Sequence, residues 1–382
     1  MTAVTTLQVG YVLGTAAGGT GRHVGMLARG AAAAGFGVRV FGPASTAALL
    51  GLAETGPRGS VPDDQVAFEI VSVSDRLRPP GDTAAIWRLR RRLIGMAADV
   101  VHAHGIRAGA LAALALRPYP GARWPGGRLP ALVVTVHNAP PPAASAARIY
   151  GLLERLVAWR ADVVLCVSSD LAARMRLRRA RDVGRAVVAA PAPVTADVRP
   201  ADLRADGRPV VLCVGRLAAQ KGFDTLVAAA ARWRDRRPEP LLAIAGTGPL
   251  ADELARQAGD LGVAVRFLGW QDDLAGLLAA ADVFALPSKW EGQPMIVQEA
   301  LRAGRPIVAA DVGGVRELTG DSGALLVSPG DPAAFAAAVL SVLDDADLAA
   351  KLGRAAALRA AALPTESEAI TAALELYRRL TP

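Results

Sequence analysis

Lysine, cysteine and aromatic residues are scarce in this chain, and each scarcity narrows what it can be. Two cysteines in 382 residues exclude a disulfide scaffold. Neither Cys166 nor Cys213 has a neighbour at metal-ligand spacing, so both are expected to be core thiols of a reducing compartment. Seven Phe, six Trp and four Tyr leave the cores to be built from Ala, Val and Leu. No apolar run approaches the roughly 18 residues of a membrane-spanning helix. The first basic residue is Arg22, so the N-terminus lacks the cationic region of a signal peptide, and a cytoplasmic protein is expected. Lysine is absent from residues 1–200, where 24 arginines outweigh 12 acids for a net charge of +12. Residues 201–382 carry 19 basic and 23 acidic side chains, net −4, and such a division implies different partners for the two halves.

What is present is an alternation of apolar runs and helical patterns, at a length of about two domains. In the first half strands are expected at 7–13 and near 37–41, 66–73, 99–103, 131–136, 162–167 and 186–190, with Ala/Leu/Arg helices between them. Such alternation gives parallel strands in a doubly wound sheet. The first strand runs through a glycine-rich turn, Gly14 to Gly21 with Gly18 and Gly19 at its centre, into a helix expected near Arg22. All four histidines lie in this half, and His102, His104 and His137 fall at or just after strand ends, where open α/β sheets place ligands. His102-Ala-His104 has the spelling of a metal pair without a third ligand, or of a hydrogen-bonded pair at a strand end. Prolines 118, 120, 125, 130 and 140–142 mark irregular segments beside the strand that leads to His137. Two arginine clusters, at 86–94 and 175–181, mix basic and large apolar residues at helical spacing; they suit either an anionic membrane surface or a solvated helix face.

A proline- and aspartate-rich stretch without periodicity then precedes a second start of the pattern. This places the first domain at 1–195, a linker at 196–209, a second domain at 210–362 and a terminal helix at 363–382. In the second domain the strand 210–214 leads to Gly215-Arg216 and Lys221-Gly222, two cations at a strand's C-terminal end and well placed for a diphosphate. Strand 241–245 opens onto Gly246-Thr-Gly248-Pro-Leu-Ala251, which has dinucleotide spacing but no acid at a strand end about twenty residues on. The strand 282–287 leads through Ser288-Lys-Trp-Glu291-Gly292-Gln-Pro294 into a helix that carries Met295, Ile296 and Glu299. Glu291 therefore precedes a helix N-terminus, where unpaired N–H groups and the helix dipole attract anions. Gly313-Gly314 forms another strand-end turn. Asp331-Pro332 reads as a cap, Asp345-Ala-Asp347 as capping rather than metal binding, and Thr365-Glu-Ser-Glu368 as a capping box with Ile370, Leu374 and Tyr377 on one face beyond it.

Glu291-Gly-x-Pro with Glu299 after seven intervening residues resembles the E-x7-E signature of the family-4 retaining glycosyltransferases. The resemblance runs from Gly18 to the terminal helix and is most specific in the second domain. It implies the GT-B fold, two Rossmann-like doubly wound domains facing a cleft, and transfer of a sugar from a nucleoside-diphosphate sugar to a hydroxyl acceptor, lipid-linked or glycan, without metal or cofactor. By resemblance Arg216 and Lys221 hold the diphosphate, with the helix N-terminus at Gly292, Met295 and Ile296. Glu299 holds the ribose, Glu291 the donor-sugar hydroxyls, and Gly18 and Gly19 face the donor. His137 contacts the sugar at the reacting centre, although Asn138 stands where the family often has Asp. Residues 267–271 are expected near the base. The terminal helix crosses back to the first domain. The inner face of the plasma membrane is an expected partner and nucleic acid is not. Two alternatives stand beside this reading: a GT-B epimerase, and a silent nucleotide-sugar-binding scaffold.

Overall fold

The six-residue run Gln8–Leu13 (β1) is buried along nearly its whole length, as a strand covered on both faces must be. It heads the fold in a computed structural model that describes residues 6–14, 18–50, 66–73, 79–118, 124–140, 144–190, 203–204 and 206–381. There follow α1 (Gly19–Ala33), β2 (Gly37–Gly42), α2 (Ala44–Leu50), β3 (Ala67–Ile70), α3 (Pro79–Gly95), β4 (Val100–His104), α4 (Ile106–Ala115), β5 (Ala131–Val136), α5 (Ala144–Arg160), β6 (Val163–Cys166), α6 (Ser169–Leu177) and β7 (Val183–Arg185). The seven strands pair in parallel in the order β3-β2-β1-β4-β5-β6-β7.

The second sheet repeats the device. Its elements are β8 (Val210–Val214), α7 (Phe223–Ala230), β9 (Leu241–Ala245), α8 (Ala251–Leu261), β10 (Val265–Gly269), α9 (Leu274–Ala280), β11 (Val283–Leu286), α10 (Met295–Arg302), β12 (Ile307–Ala310), α11 (Val315–Thr319) and β13 (Leu325–Val327). The strands are again parallel, in the order β10-β9-β8-β11-β12-β13. Helices α12 (Pro332–Asp344), α13 (Ala346–Ala361) and α14 (Glu366–Leu380) end the chain. Contacts divide it into Met1–Pro191 with Pro364–Pro382, and Ala192–Leu363. Helix α14 thus belongs to the first unit, where it lies against α1 and Tyr377 joins the core around Val9, Val24 and Phe36.

In each sheet the order reverses beside its first strand, between β1 and β4 and between β8 and β11. Loops leaving such a pair diverge to opposite faces, so a crevice opens at the C-terminal ends of the strands. Gly18, His104, Arg216, Lys221 and Glu291 sit at or just beyond these strand ends, and His137 follows the neighbouring strand β5.

Two boundaries differ from the sequence expectation. The last strand of the first sheet is Val183–Arg185, not 186–190. Val188, Ala189 and Ala190 are buried, but by packing rather than by a strand ladder, so their apolarity marks core and not strand. Helix α1 begins at Gly19 rather than near Arg22, because Gly18, at φ 74°, turns the chain directly into it. The expected linker residues 196–202 and 205, the glycine-loop residues 15–17, and Pro120, Pro141 and Pro142 lie outside the described residues.

Candidate functional site

In the second unit β8 ends at Val214 and passes the chain to Gly215, Arg216 and a short turn closing at Lys221. The neighbouring strand β11 passes it to Pro287–Pro294, ahead of α10. Because the two strands pair, Lys221 and Glu291 meet across a 70-residue separation. The Lys221 ammonium donates to Glu291 Oε1 as an ion pair, and Ser288 Oγ donates to the same oxygen at 2.7 Å. Glu291 is only 4% exposed and Ser288 is fully buried. Glu291 Oε2 has no partner among the described residues, so the carboxylate is held by one oxygen and offers the other. The two loops are also tied through their backbones: Lys289 N donates to Gln220 O at 2.8 Å, and Gln220 Nε2 to Trp290 O at 3.0 Å.

Glycines let the flanking turns close on this pair. A Cβ on Gly248 would stand 2.4 Å from Leu217 O, and one on Gly246 would stand 1.9 Å from Gly215 O. The Gly246-Thr-Gly248 spacing that looks like a dinucleotide fingerprint therefore serves a close approach to the Arg216 loop. Gly313, at φ 51°, would place a Cβ 2.0 Å from Glu291 O, while Gly314 N donates to Gly292 O at 2.8 Å. The turn after β12 thus braces Glu291 from behind.

Arg216 is exposed, and its guanidinium has no partner among the described residues. Helix α10 starts at Met295 with Pro294 at its N-cap and no side-chain cap; Val297 N donates to Pro294 O at 3.1 Å, which leaves the N–H groups of Met295 and Ile296 at the helix end without a capping side chain. Met295 is buried, Ile296 half-buried, Gln298 fully buried, and Glu299 half-buried on the second turn. Asp273 caps α9 by accepting from Gly276 N at 2.8 Å, which removes it as a ribose-binding acid for a nicotinamide site. Phe267 and Trp270 are exposed at 37% and 53%, leaving two aromatic faces at the end of β10. Among the described residues no three His, Cys, Asp or Glu groups are placed to hold a metal ion. Asp345 accepts from Leu348 N at 2.9 Å as the cap of α13, and Asp347 lies in that helix's first turn.

In the first unit Gly18 and Gly19 sit at the start of α1, and the four histidines converge beneath it. His104, at the end of β4, places Nδ1 3.1 Å from Nε2 of His137, just past β5. His102, two residues earlier on the same face, stacks beside His104 with ring centroids 4.2 Å apart. Its Nδ1 lies 2.7 Å from the Tyr377 hydroxyl and its Nε2 2.7 Å from Thr135 Oγ1. Tyr377 in turn donates to the Tyr11 hydroxyl at 3.1 Å. The His23 ring, on α1, is 6.3 Å from that of His104. Burial pushes His23 down to about 4 and His102 and His137 to about 3, and holds His104 well below the usual range. The rings' mutual proximity adds to this, so all four are neutral at pH 7. The hydrogen-bonded reading of His102 and His104 at a strand end is the one realised here, and their i, i+2 spacing is the sequence signal that they share a face. Nothing local pointed to Tyr377, 275 residues from His102.

The arginine clusters divide in the structure. Arg90 is buried, donating to Ala115 O at 2.8 Å and Arg117 O at 2.7 Å, and Arg92 pairs with Glu69 at 2.9 Å. Arg178 and its neighbour Arg174 grip the buried Glu154 at 3.0 and 2.5 Å. These cations fasten elements together. Of the clusters' large apolar residues, Trp87 and Leu177 stay exposed, at 55% and 84%, and on α5 so do Leu152 and Trp159, at 62% and 64%. Cys166 is pushed up to about 12 by burial and Cys213 higher still, as expected of core thiols.

Comparison with known proteins accounts for both units. The family model described as glycosyl transferase 4-like domain matches residues 18–192, and that of glycosyl transferases group 1 matches residues 208–345. D-inositol 3-phosphate glycosyltransferase of Streptomyces avermitilis is 32% identical over 320 residues, 74% of this chain and 67% of that protein. The lipopolysaccharide core biosynthesis glycosyltransferase LpsE of Rhizobium meliloti is 38% identical over 162 residues, 42% of this chain. The match spans 46% of LpsE and 37% of the glycogen synthase of Mycobacterium tuberculosis, less than half the length of either. Among solved structures, sucrose-phosphate synthase of Thermosynechococcus elongatus superposes with a TM-score of 0.76 at 22% identity, over 98% of this chain and 99% of that one. HepE of Anabaena, in complex with UDP and glucose, gives 0.77 at 19% identity, over 97% and 99% of the two chains. The chain belongs to the family-4 glycosyltransferases of the GT-B fold.

Proposed function

We propose that the protein transfers a sugar, a hexosyl group, from a nucleoside-diphosphate sugar to a hydroxyl acceptor, with retention at the anomeric carbon and without a metal. The observation that carries this is the Lys221–Glu291 pair beside Arg216 at the point where the second sheet reverses its order. Two cations and a helix N-terminus there suit a departing diphosphate, whose negative charge they would neutralise as it develops. Glu291 keeps Oε2 for donor-sugar hydroxyls, Glu299 receives the ribose hydroxyls, and Phe267 and Trp270 offer faces to the base. Gly18 and Gly19 border the donor, and His137 contacts the sugar near the reacting carbon.

Retention here needs no enzyme nucleophile, because both glutamates belong to the donor side and do not flank the scissile bond. The acceptor oxygen attacks from the leaving-group face. The bond from the anomeric carbon to the phosphate oxygen breaks as the bond to the acceptor forms, and the acceptor's proton passes to the departing diphosphate oxygen. NMR of the first-formed product tests this directly: the donor's anomeric configuration is expected in the product, and inversion excludes the mechanism.

Relatives named as GDP-mannose-dependent phosphatidylinositol mannoside mannosyltransferases support a lipid-linked acceptor. On that reading the protein works at the inner face of the plasma membrane. On α5, Ile149, Leu152 and Trp159 share an exposed stripe with Arg148 and Arg155, a chemistry that suits anionic lipid. Co-sedimentation with phosphatidylglycerol vesicles but not with phosphatidylcholine vesicles is expected, and is to be lost in Leu152→Glu/Trp159→Glu. Equal recovery with both lipids contradicts the membrane reading.

A further inference from the structure

The four histidines do more than fill a core: two of their ring nitrogens face each other, and two others, His104 Nε2 and His23 Nδ1, are buried with nothing to face. His104 Nδ1 and His137 Nε2 are 3.1 Å apart, a distance at which one must donate and the other accept. His104 Nε2 is buried without a hydrogen-bond partner. Burial beside the other rings holds both histidines neutral, so each carries one ring proton. Two arrangements remain. If His137 donates from Nε2, then His104 must carry its proton on Nε2, as a buried N–H with no acceptor. If His104 donates from Nδ1, only a lone pair is left at Nε2. An orphaned donor is the rarer and costlier fault in folded proteins. The second arrangement is therefore favoured, and it obliges His137 to carry its own proton on Nδ1.

The His104 ring has little freedom to relax this. It stacks on Tyr11 at 6.1 Å with an interplanar angle of 23°, and packs against the tilted ring of His102 at 4.2 Å. His102 is itself pinned at both nitrogens, by Tyr377 and by Thr135. His137 Nδ1 has no hydrogen-bond partner among the described residues, and His137 is the least buried of the four.

We propose that His104 is a positioning residue that locks His137 in the Nδ1–H tautomer, so that His137 presents a hydrogen-bond donor to a substrate oxygen and does not serve as a general base. The part that concerns substrate rests on the proposed function; the tautomer does not.

The chain has only four histidines, so ¹⁵N-histidine labelling and two-bond proton–nitrogen correlation spectra at pH 7.5 report every ring directly. In the wild type His137, assigned through His137→Gln, is expected to be protonated on Nδ1, with His104 protonated on Nδ1 as well. His104→Phe keeps a ring but removes the donor, and is expected to move the His137 proton to Nε2. His104→Asn, whose amide nitrogen stands near the Nδ1 position, is expected to preserve the wild-type tautomer. Donor-sugar turnover should follow the tautomer: kcat/KM falls about tenfold in His104→Phe, as for loss of one hydrogen bond of the usual strength, and recovers in His104→Asn. Protonation of wild-type His137 on Nε2 overturns the proposal, whatever the variants do. So does an unchanged tautomer in a folded His104→Phe. If the spectra behave as expected but no nucleotide sugar is turned over by the wild type, the functional reading fails and the tautomer lock stands.

Discussion

At the scale of single residues, the Lys221–Glu291 pair is asymmetric, and the asymmetry can be measured. Glu291 is 5% exposed in its side chain and Lys221 22%, so removing the cation strands a buried carboxylate with only Ser288 to satisfy it. Lys221→Ala is expected to lower stability in urea by about 3 kcal/mol, the usual result of breaking a buried pair. Glu291→Gln leaves an ammonium that water can reach and keeps the Ser288 contact, so about 1 kcal/mol is expected. Equal losses would mean that the pair is solvated. Gly313 offers a second test, because alanine there must move the Glu291 carbonyl and adopt positive φ, at a cost of about 1–3 kcal/mol. Its donor KM should rise while its kcat changes less. These residues differ in how far the sequence revealed them. Arg216, Lys221 and Glu291 stand on loops at strand ends, and one rule about open sheets finds all three. Ser288 and Gly313 also stand at strand ends, but their roles are not written there, since they depend on which oxygen of Glu291 each one meets.

At the scale of elements, α14 shows what local chemistry can and cannot specify. Its start is written in Thr365 and Glu368: Thr365 Oγ1 accepts from Glu368 N at 3.2 Å, and the Glu368 carboxylate accepts from Thr365 N at 2.8 Å. Thr365→Ala is expected to cost about 1 kcal/mol, read as a lower thermal midpoint. The buried positions Leu374 and Tyr377 were legible as one helix face. Their destination was not, because Tyr377 closes a hydrogen-bonded path to His102 and Tyr11 that only the packed first unit creates. Tyr377→Phe should destabilise that unit by about 1–2 kcal/mol by orphaning a His102 nitrogen. It is also expected to broaden the His102 ring signals; a silent substitution would show that the path carries no stability. The strand misplaced by three residues at the sheet's edge has a related cause. Apolarity at 188–190 records burial, and burial there comes from the core around Ala189 rather than from a neighbouring strand.

At the scale of the whole molecule, four neutral histidines, three of them buried and His137 half-buried, tie stability to pH. Their folded values lie below the unfolded value of 6.5, so the unfolded chain binds more protons as pH falls and stability drops below that point. At pH 5.5 each of His23 and His102 should contribute a loss of about 1.4 kcal/mol, saturating only near pH 3–4. The acid midpoint in a pH titration, measured relative to each variant's own stability at pH 7, should move to lower pH in His102→Gln. A flat stability between pH 7 and 5 would contradict the burial of the cluster. The doubly wound plan follows from the alternation of apolar runs with helical patterns, whereas the strand orders and their reversal points depend on pairing across the packed sheets and are read only from the structure. The arginine-rich surface was less so, since Arg90, Arg92 and Arg178 look alike as letters and differ in what they grip.

The central claim is that the second unit binds a nucleoside-diphosphate sugar through side chains and backbone without a metal. The most direct measurement follows thermal stabilisation and nucleoside-diphosphate release with UDP-, GDP- and ADP-sugars in EDTA, on the wild type and Glu299→Ala. One nucleotide class should raise the wild-type midpoint and be turned over in chelator, and Glu299→Ala should lose that shift. Absence of binding by every nucleotide sugar, or binding that appears only when a divalent cation is restored, would contradict the roles given to Arg216, Lys221 and Glu299.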